Sequence, residues 1–153
     1  MNLSDRITSD LNAAMKAREL LRVATLRMLI AAMRNRAIEL RVVRGAPLGD
    51  EEILRLIRSE TKKRRDAIEA FQRGGRRDAA EKEEAERAIL EEYLPQEINE
   101  ETLLAIVTEE IARIENPSMK EFGRIMGTVM KRVGLEASGD RVSGMVKMAL
   151  GGK

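Results

Sequence analysis

The chain has 153 residues, enough for one domain or two small lobes with a buried core. Hydrophobic residues make up 43% of it and charged residues 35%, but the only aromatics are Phe71, Tyr93 and Phe122; a core of Leu, Ile, Val, Met and Ala favours helices packed on helices. With no Cys and no His, a disulfide scaffold and Cys/His metal centres are excluded and no cofactor is expected, while the net charge of +2 hides basic ends around an acidic middle.

The spacing of Leu3, Ile7, Leu11, Ala14 and Met15 predicts a first helix opening at Ser4 or Asp5. A second is predicted from about residue 21 to 44, with Val23, Leu26, Ile30, Met33, Ala37 and Leu40 inward and Gly45 as its stop. Gly49 and the acids at 50–52 suit the start of a third, which ends at Gly74-Gly75. A fourth follows over residues 77–94, with Ala85, Ala88, Ile89 and Tyr93 inward. Pro47, Pro95 and Pro117 all fall between periodic segments, as expected of a residue that costs a helix interior about 3 kcal/mol. Asn99 caps a fifth helix carrying Leu103, Val107, Ile111 and Ile114. Ser118-x-x-Glu121 reads as a capping box for a sixth, with Phe122, Ile125, Met126, Val129, Met130 and Val133 as its apolar face. Gly134 stops that helix, and a last one starts at Ser138, Gly139 or Asp140. The fold expected is all-α: a four-helix N-terminal lobe, residues 1–94, followed by a small three-helix C-terminal lobe, residues 95–153. The longest apolar run, Met28 to Met33, is too short to span a bilayer, and residues 1–20 have no signal-peptide core; no membrane is expected and cytoplasm is the default compartment.

Charge is the feature with functional content. Residues 1–47 sum to +5, 48–77 to +3, 78–117 to −10 and 118–153 to +4. Arg27, Arg34 and Arg41 lie seven apart, so on a continuous helix they form one stripe. Lys62, Lys63, Arg64 and Arg65 crowd one turn, and Arg76 and Arg77 follow the glycine pair. These nine form a candidate nucleic-acid-binding set, since Lys and Arg displace counterions from a phosphate backbone. Pairing with the acids from Glu81 to Glu92 is the competing reading, and composition alone favours it. Scarce aromatics weigh against single-strand binding, whereas a folded RNA is recognised by shape and backbone. Gly123 and Gly127 share a helix face and are expected to permit close packing inside the small lobe. The serines have no histidine base, no phosphate-binding glycine loop occurs, and no catalytic residue is expected.

Several segments together resemble the YqeY family. These are Thr25 to Ala32 (TLRMLIAA), Lys62 to Phe71 (KKRRDAIEAF), Gly75 to Pro95 (GRRDAAEKEEAERAILEEYLP), Phe122 to Met130 (FGRIMGTVM) and Val142 to Leu150 (VSGMVKMAL). The family is similar to the tail domain of the B subunit (GatB) of the tRNA-dependent amidotransferase. The resemblance implies an all-helical fold and contact with tRNA, with no ligase centre of its own. An amidotransferase or an aminoacyl-tRNA synthetase is the protein partner it implies; carbon–nitrogen ligase activity would come by association. Ser138 stands where that family usually has Asp before the last helix, a change that preserves capping. The oligomeric state is left open.

Overall fold

The structure is a computed structural model, described over residues 1–151. Among these residues it holds seven α-helices, two 3₁₀ turns and no strand, the all-α class that the periodicity predicts. The chain divides into two compact units, one ending at Leu94 and one beginning at Pro95. Residues 152 and 153, included in the expected C-terminal lobe, lie outside the described residues.

The first unit holds α1 (Leu3–Ala17), α2 (Leu20–Glu39), α3 (Asp50–Arg73) and α4 (Arg77–Glu91). Asn2 starts α1 by accepting the Asp5 amide at 2.8 Å, which satisfies one of the free donors of the first turn. Its core joins Ile7, Leu26, Leu29, Met33, Ile53, Ile57, Ile89, Leu90 and Tyr93. The aliphatic character of that list is what a chain with three aromatics must use, and burial of each side chain is worth about 1.5–3 kcal/mol.

Polar contacts fix how these helices register. Arg22 of α2 makes a two-pronged pair with Glu92, just past α4, at 2.7 and 3.0 Å. The hydrogen bond from Arg22 holds the Glu92 carboxyl below its usual range; the pair therefore contributes most above the ordinary carboxylate pKa and fades as pH falls through the lowered one. Tyr93 is buried and donates to Asp10 of α1 at 2.5 Å. Burial first, and the Asp10 bond second, push its phenol well above the usual value. Tyr93→Phe leaves the ring in place and removes the donor, so unfolding of the protein in urea should show a loss of about 1–2 kcal/mol.

The second helix ends earlier than its sequence pattern suggests. It stops at Glu39, not near residue 44. The Arg41 amide bonds the Ile38 carbonyl at 3.0 Å, and the Val42 amide bonds Ala37 at 2.9 Å. Arg41 itself sits at φ 54. This is the two-bond C-terminal motif that usually places glycine in the left-handed position. Val42 and Leu48 pack against the core of the unit, and a helix continued to residue 44 would carry the chain away from it. The fourth helix likewise stops at Glu91 rather than Leu94, and Ala88 is exposed rather than inward.

The second unit holds α5 (Glu100–Ala112), α6 (Phe122–Val133) and α7 (Gly139–Gly151). Leu103, Val107, Ile125, Val129, Val133, Ala137, Val142 and Val146 form its core. Asn99 caps α5 as expected, accepting from Thr102 at 2.8 Å. Ser118 accepts from Lys120, but it opens a 3₁₀ turn over Met119–Glu121 before α6 begins at Phe122. Glu121 does not close a capping box; it pairs with Arg124 at 3.8 Å. Ser138 accepts from the Arg141 amide at 3.2 Å and so caps α7. Arg141 in turn reaches the Ile98 carbonyl and Glu100, each at 2.8 Å, tying α7 to the segment that enters α5. Glu110, only 6% exposed, anchors Arg132 of α6 at 3.1 Å.

Candidate nucleic-acid interface

The basic residues of the first unit fall into two groups, separated by whether a carboxylate answers them. Each arginine of α3 and α4 has a partner. Arg55 pairs with Glu51 and Glu52, Arg73 with Glu69, Arg77 with Glu81, and Arg87 with Glu84 and Glu91. Arg65 crosses from α3 to Glu91 of α4 at 2.9 Å, and Arg58 is also engaged. Arg76 lies near Asp78 at 4.0 Å and over the Phe71 ring at 5.6 Å. Lys63 reaches Glu60 at 3.5 Å, and Lys62 has a partner as well. The acidic segment from Glu81 to Glu92 is thus largely spent on this second group.

Arg64 departs furthest from its expected role. It is 7% exposed and wedged between α3 and α4. Its guanidinium meets Glu86 at 3.3 Å, Glu83 at 3.9 Å and the Met28 sulfur at 3.4 Å. A side chain so enclosed cannot reach an external phosphate; Arg64 is a buried key between helices. The residue type and its crowded neighbours gave no sign of this, because the deciding groups lie about twenty residues away on α4.

The first group is different. Arg27 and Arg34 are exposed on one face of α2 and have no side-chain partner among the described residues. Seven helical residues separate them by about 10 Å along the axis. Arg41 is also exposed and unpaired, but it lies in the turn after α2 and not on its stripe. Arg44, three residues on, shares both properties, as does Arg18 in the left-handed turn after α1. Arg18 and Arg44 were not singled out by the sequence pattern. A usable signal did exist: none of Arg18, Arg27, Arg34, Arg41 and Arg44 has an acid three or four residues away, whereas Arg36, Arg55, Arg73, Arg77 and Arg87 each do.

Gly123 and Gly127 do not do what their spacing suggested. Both lie exposed on α6, and a Cβ added at either would meet nothing within 4 Å. The small unit does not use them for close packing. Gly127→Ala should then stabilise the protein by up to about 1 kcal/mol through helix propensity alone, read as a raised melting temperature.

One Ser-x-x-Lys spacing occurs, from Ser59 to Lys62 on α3. Both side chains are exposed, and a serine–lysine pair works in a site closed to water. Among the described residues no group of three or more His, Cys, Asp or Glu side chains could hold a metal ion. No helix among them is long and apolar enough to cross a membrane.

The architecture and the surface together define an all-helical protein whose first unit bears an uncompensated row of arginines. The chain belongs to the Yqey-like protein family, whose model matches residues 4–150. It is 33% identical over 90 residues to a protein of Lachancea thermotolerans named "Altered inheritance of mitochondria protein 41, mitochondrial"; the match covers 59% of this chain and 46% of that protein. It is 43% identical over 47 residues to "Uncharacterized protein C22F3.15" of Schizosaccharomyces pombe, covering 31% of this chain and 38% of that one. The matched region spans less than half the length of either relative.

Proposed function

We propose that this protein is a non-catalytic accessory protein that grips a folded RNA, with tRNA the expected ligand, through Arg27, Arg34 and Arg41, joined by Arg18 and Arg44. One observation carries the reading. In a unit where every arginine of α3 and α4 is matched by a carboxylate or another partner, and Arg22 and Arg36 of α2 are paired as well, Arg27 and Arg34 of α2 and Arg18, Arg41 and Arg44 in its flanking turns have no partner among the described residues. Unanswered guanidinium groups held out to solvent sum to a positive potential that draws an anionic partner to that surface. They present bidentate donors to phosphate oxygens. Scarce aromatics leave no stacking platform, so backbone and shape of a folded RNA suit the surface better than an open strand.

The resemblance to the amidotransferase tail makes tRNA the first RNA to test. In this proposal residues 1–94 act as the RNA-binding lobe, residues 95–153 as a smaller accessory lobe, and the setting is cytoplasmic. Lys62, Lys63, Arg65, Arg76 and Arg77 contribute at most as a weaker fringe, since binding RNA would cost them existing pairs. The test is the equilibrium affinity for tRNA as a function of salt in the wild type and in variants of the α2 arginines. Salt-independent binding, or no binding at low salt, refutes the reading.

A further inference from the structure

We infer that the groove between the start of α1 and the turn after α2 is a docking site for an acidic, amphipathic segment of another protein. This inference does not rest on the RNA reading. The groove is open to solvent, has a volume of about 1120 Å³, and is lined by Arg34, Ala37, Ile38, Val43, Arg44 and Pro47 among others.

Two kinds of side chain here have no partner within the unit. Ile38 is 75% exposed and Val43 79% exposed, with Leu40 also exposed beside them. Isolated exposed aliphatics are ordinary, but Ile38 and Val43 both line this one groove and so offer it two unpartnered apolar side chains. Arg34 and Arg44 flank it with no carboxylate bound to either. An apolar centre rimmed by arginine is the composition of protein interfaces.

Charge settles the partner's chemistry. The two free guanidinium groups outnumber Asp5, the one carboxylate lining the groove. The first turn of α1 adds the positive end of a fifteen-residue helix. A complementary segment places an aliphatic stripe on Ile38 and Val43 and carboxylates toward Arg34 and Arg44. Arg34 and Arg44 also belong to the proposed RNA surface, so the two ligands compete for them; the apolar centre of the groove is what favours a protein segment there, because saturated side chains give a phosphate nothing and offer a base no aromatic face.

The turn is also held in a defined shape. Val42 is half-buried against the core and its amide bonds the Ala37 carbonyl at 2.9 Å. Val43 and Arg44, which follow directly, are therefore presented from an anchored residue. Preorganisation of this kind lowers the ordering cost of binding.

The test uses the full-length protein and two synthetic peptides of equal charge. One carries Leu at positions i, i+3, i+4 and i+7 with Glu on the flanks; in the other every Leu is Ser. Fluorescence anisotropy should show the Leu peptide binding at least about tenfold tighter. The double variant Ile38→Ser/Val43→Ser should erase that preference, Arg44→Gln should weaken both peptides, and Arg27→Gln should leave the preference intact. Circular dichroism confirms that the exposed substitutions leave the helices formed. Equal binding of the two peptides, or an unchanged preference in the double variant, overturns the inference. So does a loss of tRNA affinity in the double variant without any effect on peptide, which would give the groove to RNA. Sedimentation equilibrium covers the last occupant: a wild-type dimer that the double variant converts to monomer would mean that a second copy fills the groove, and would likewise overturn it.

Discussion

Replacing Arg27, Arg34 and Arg41 together by glutamine should lower the slope of log affinity against log salt for tRNA by about 2 to 3. Each phosphate that a cation neutralises contributes about 0.7 to 0.9 to that slope. Three unpaired guanidinium groups are removed at once, and no intramolecular pair is broken in the process. Affinity at low salt should fall by at least about tenfold, while the loss narrows at high salt where counterion release is worth less. Arg73→Gln with Arg77→Gln is the matched control. It removes two charges from the same unit, but each is already engaged with a carboxylate, Glu69 and Glu81, four residues away. The control should change the slope by less than about 1. An unchanged slope in the triple variant would remove α2 from the interface. An equal change in both variants would show that net charge, not this row, drives association.

Arg64→Ala should be the most destabilising of the polar substitutions, by about 3 kcal/mol or more in equilibrium urea unfolding. The side chain is buried, and its removal strands Glu86 and Glu83, whose side chains are 14% and 24% exposed, without their cation. Breaking a buried pair from one side costs about 3–5 kcal/mol, because the remaining charge stays desolvated. Partial solvation of the two glutamates places the expected value toward the lower end. Arg64→Met should cost less, since it refills the space beside Met28. Combining it with Glu86→Gln should recover more of the loss, because the stranded charge is gone. A loss under about 1 kcal/mol in Arg64→Ala would mean that the pair is solvated and that Arg64 is not the key between α3 and α4. Residual tRNA binding by the folded fraction of Arg64→Met should keep the wild-type salt slope, since this guanidinium never faced outward.

The two experiments divide the basic residues of one helical unit into those that hold the fold and those left for an anion. Sequence pattern alone treated them together. Lys62, Lys63, Arg64 and Arg65 are consecutive, so they look like the strongest cationic site in the chain. Yet helix geometry turns Arg64 inward and sends Arg65 to α4. The quieter set, Arg27 and Arg34, remains open because α2 carries no acid within reach of either.

The apolar and polar pattern by itself determined most of the architecture. Helix type, the caps at Asn99 and Ser138, the glycine stop at Gly134 and the break at Gly74-Gly75 all follow from local rules, which act within one or two turns. Tertiary structure decided the rest, because it depends on groups distant in sequence. Burial of Leu48 and packing of half-buried Val42 against the core ended α2 at Glu39 and moved Arg41 off the stripe into a left-handed turn. The acids of α4 fixed which arginines of α3 are spent, and open space over Gly123 and Gly127 removed their packing role. Periodicity reports which face of a helix is wet; it does not report which charges meet across helices, and that pairing is what separates Arg22 and Arg36 of α2, each answered by a carboxylate, from Arg27 and Arg34, which have none among the described residues.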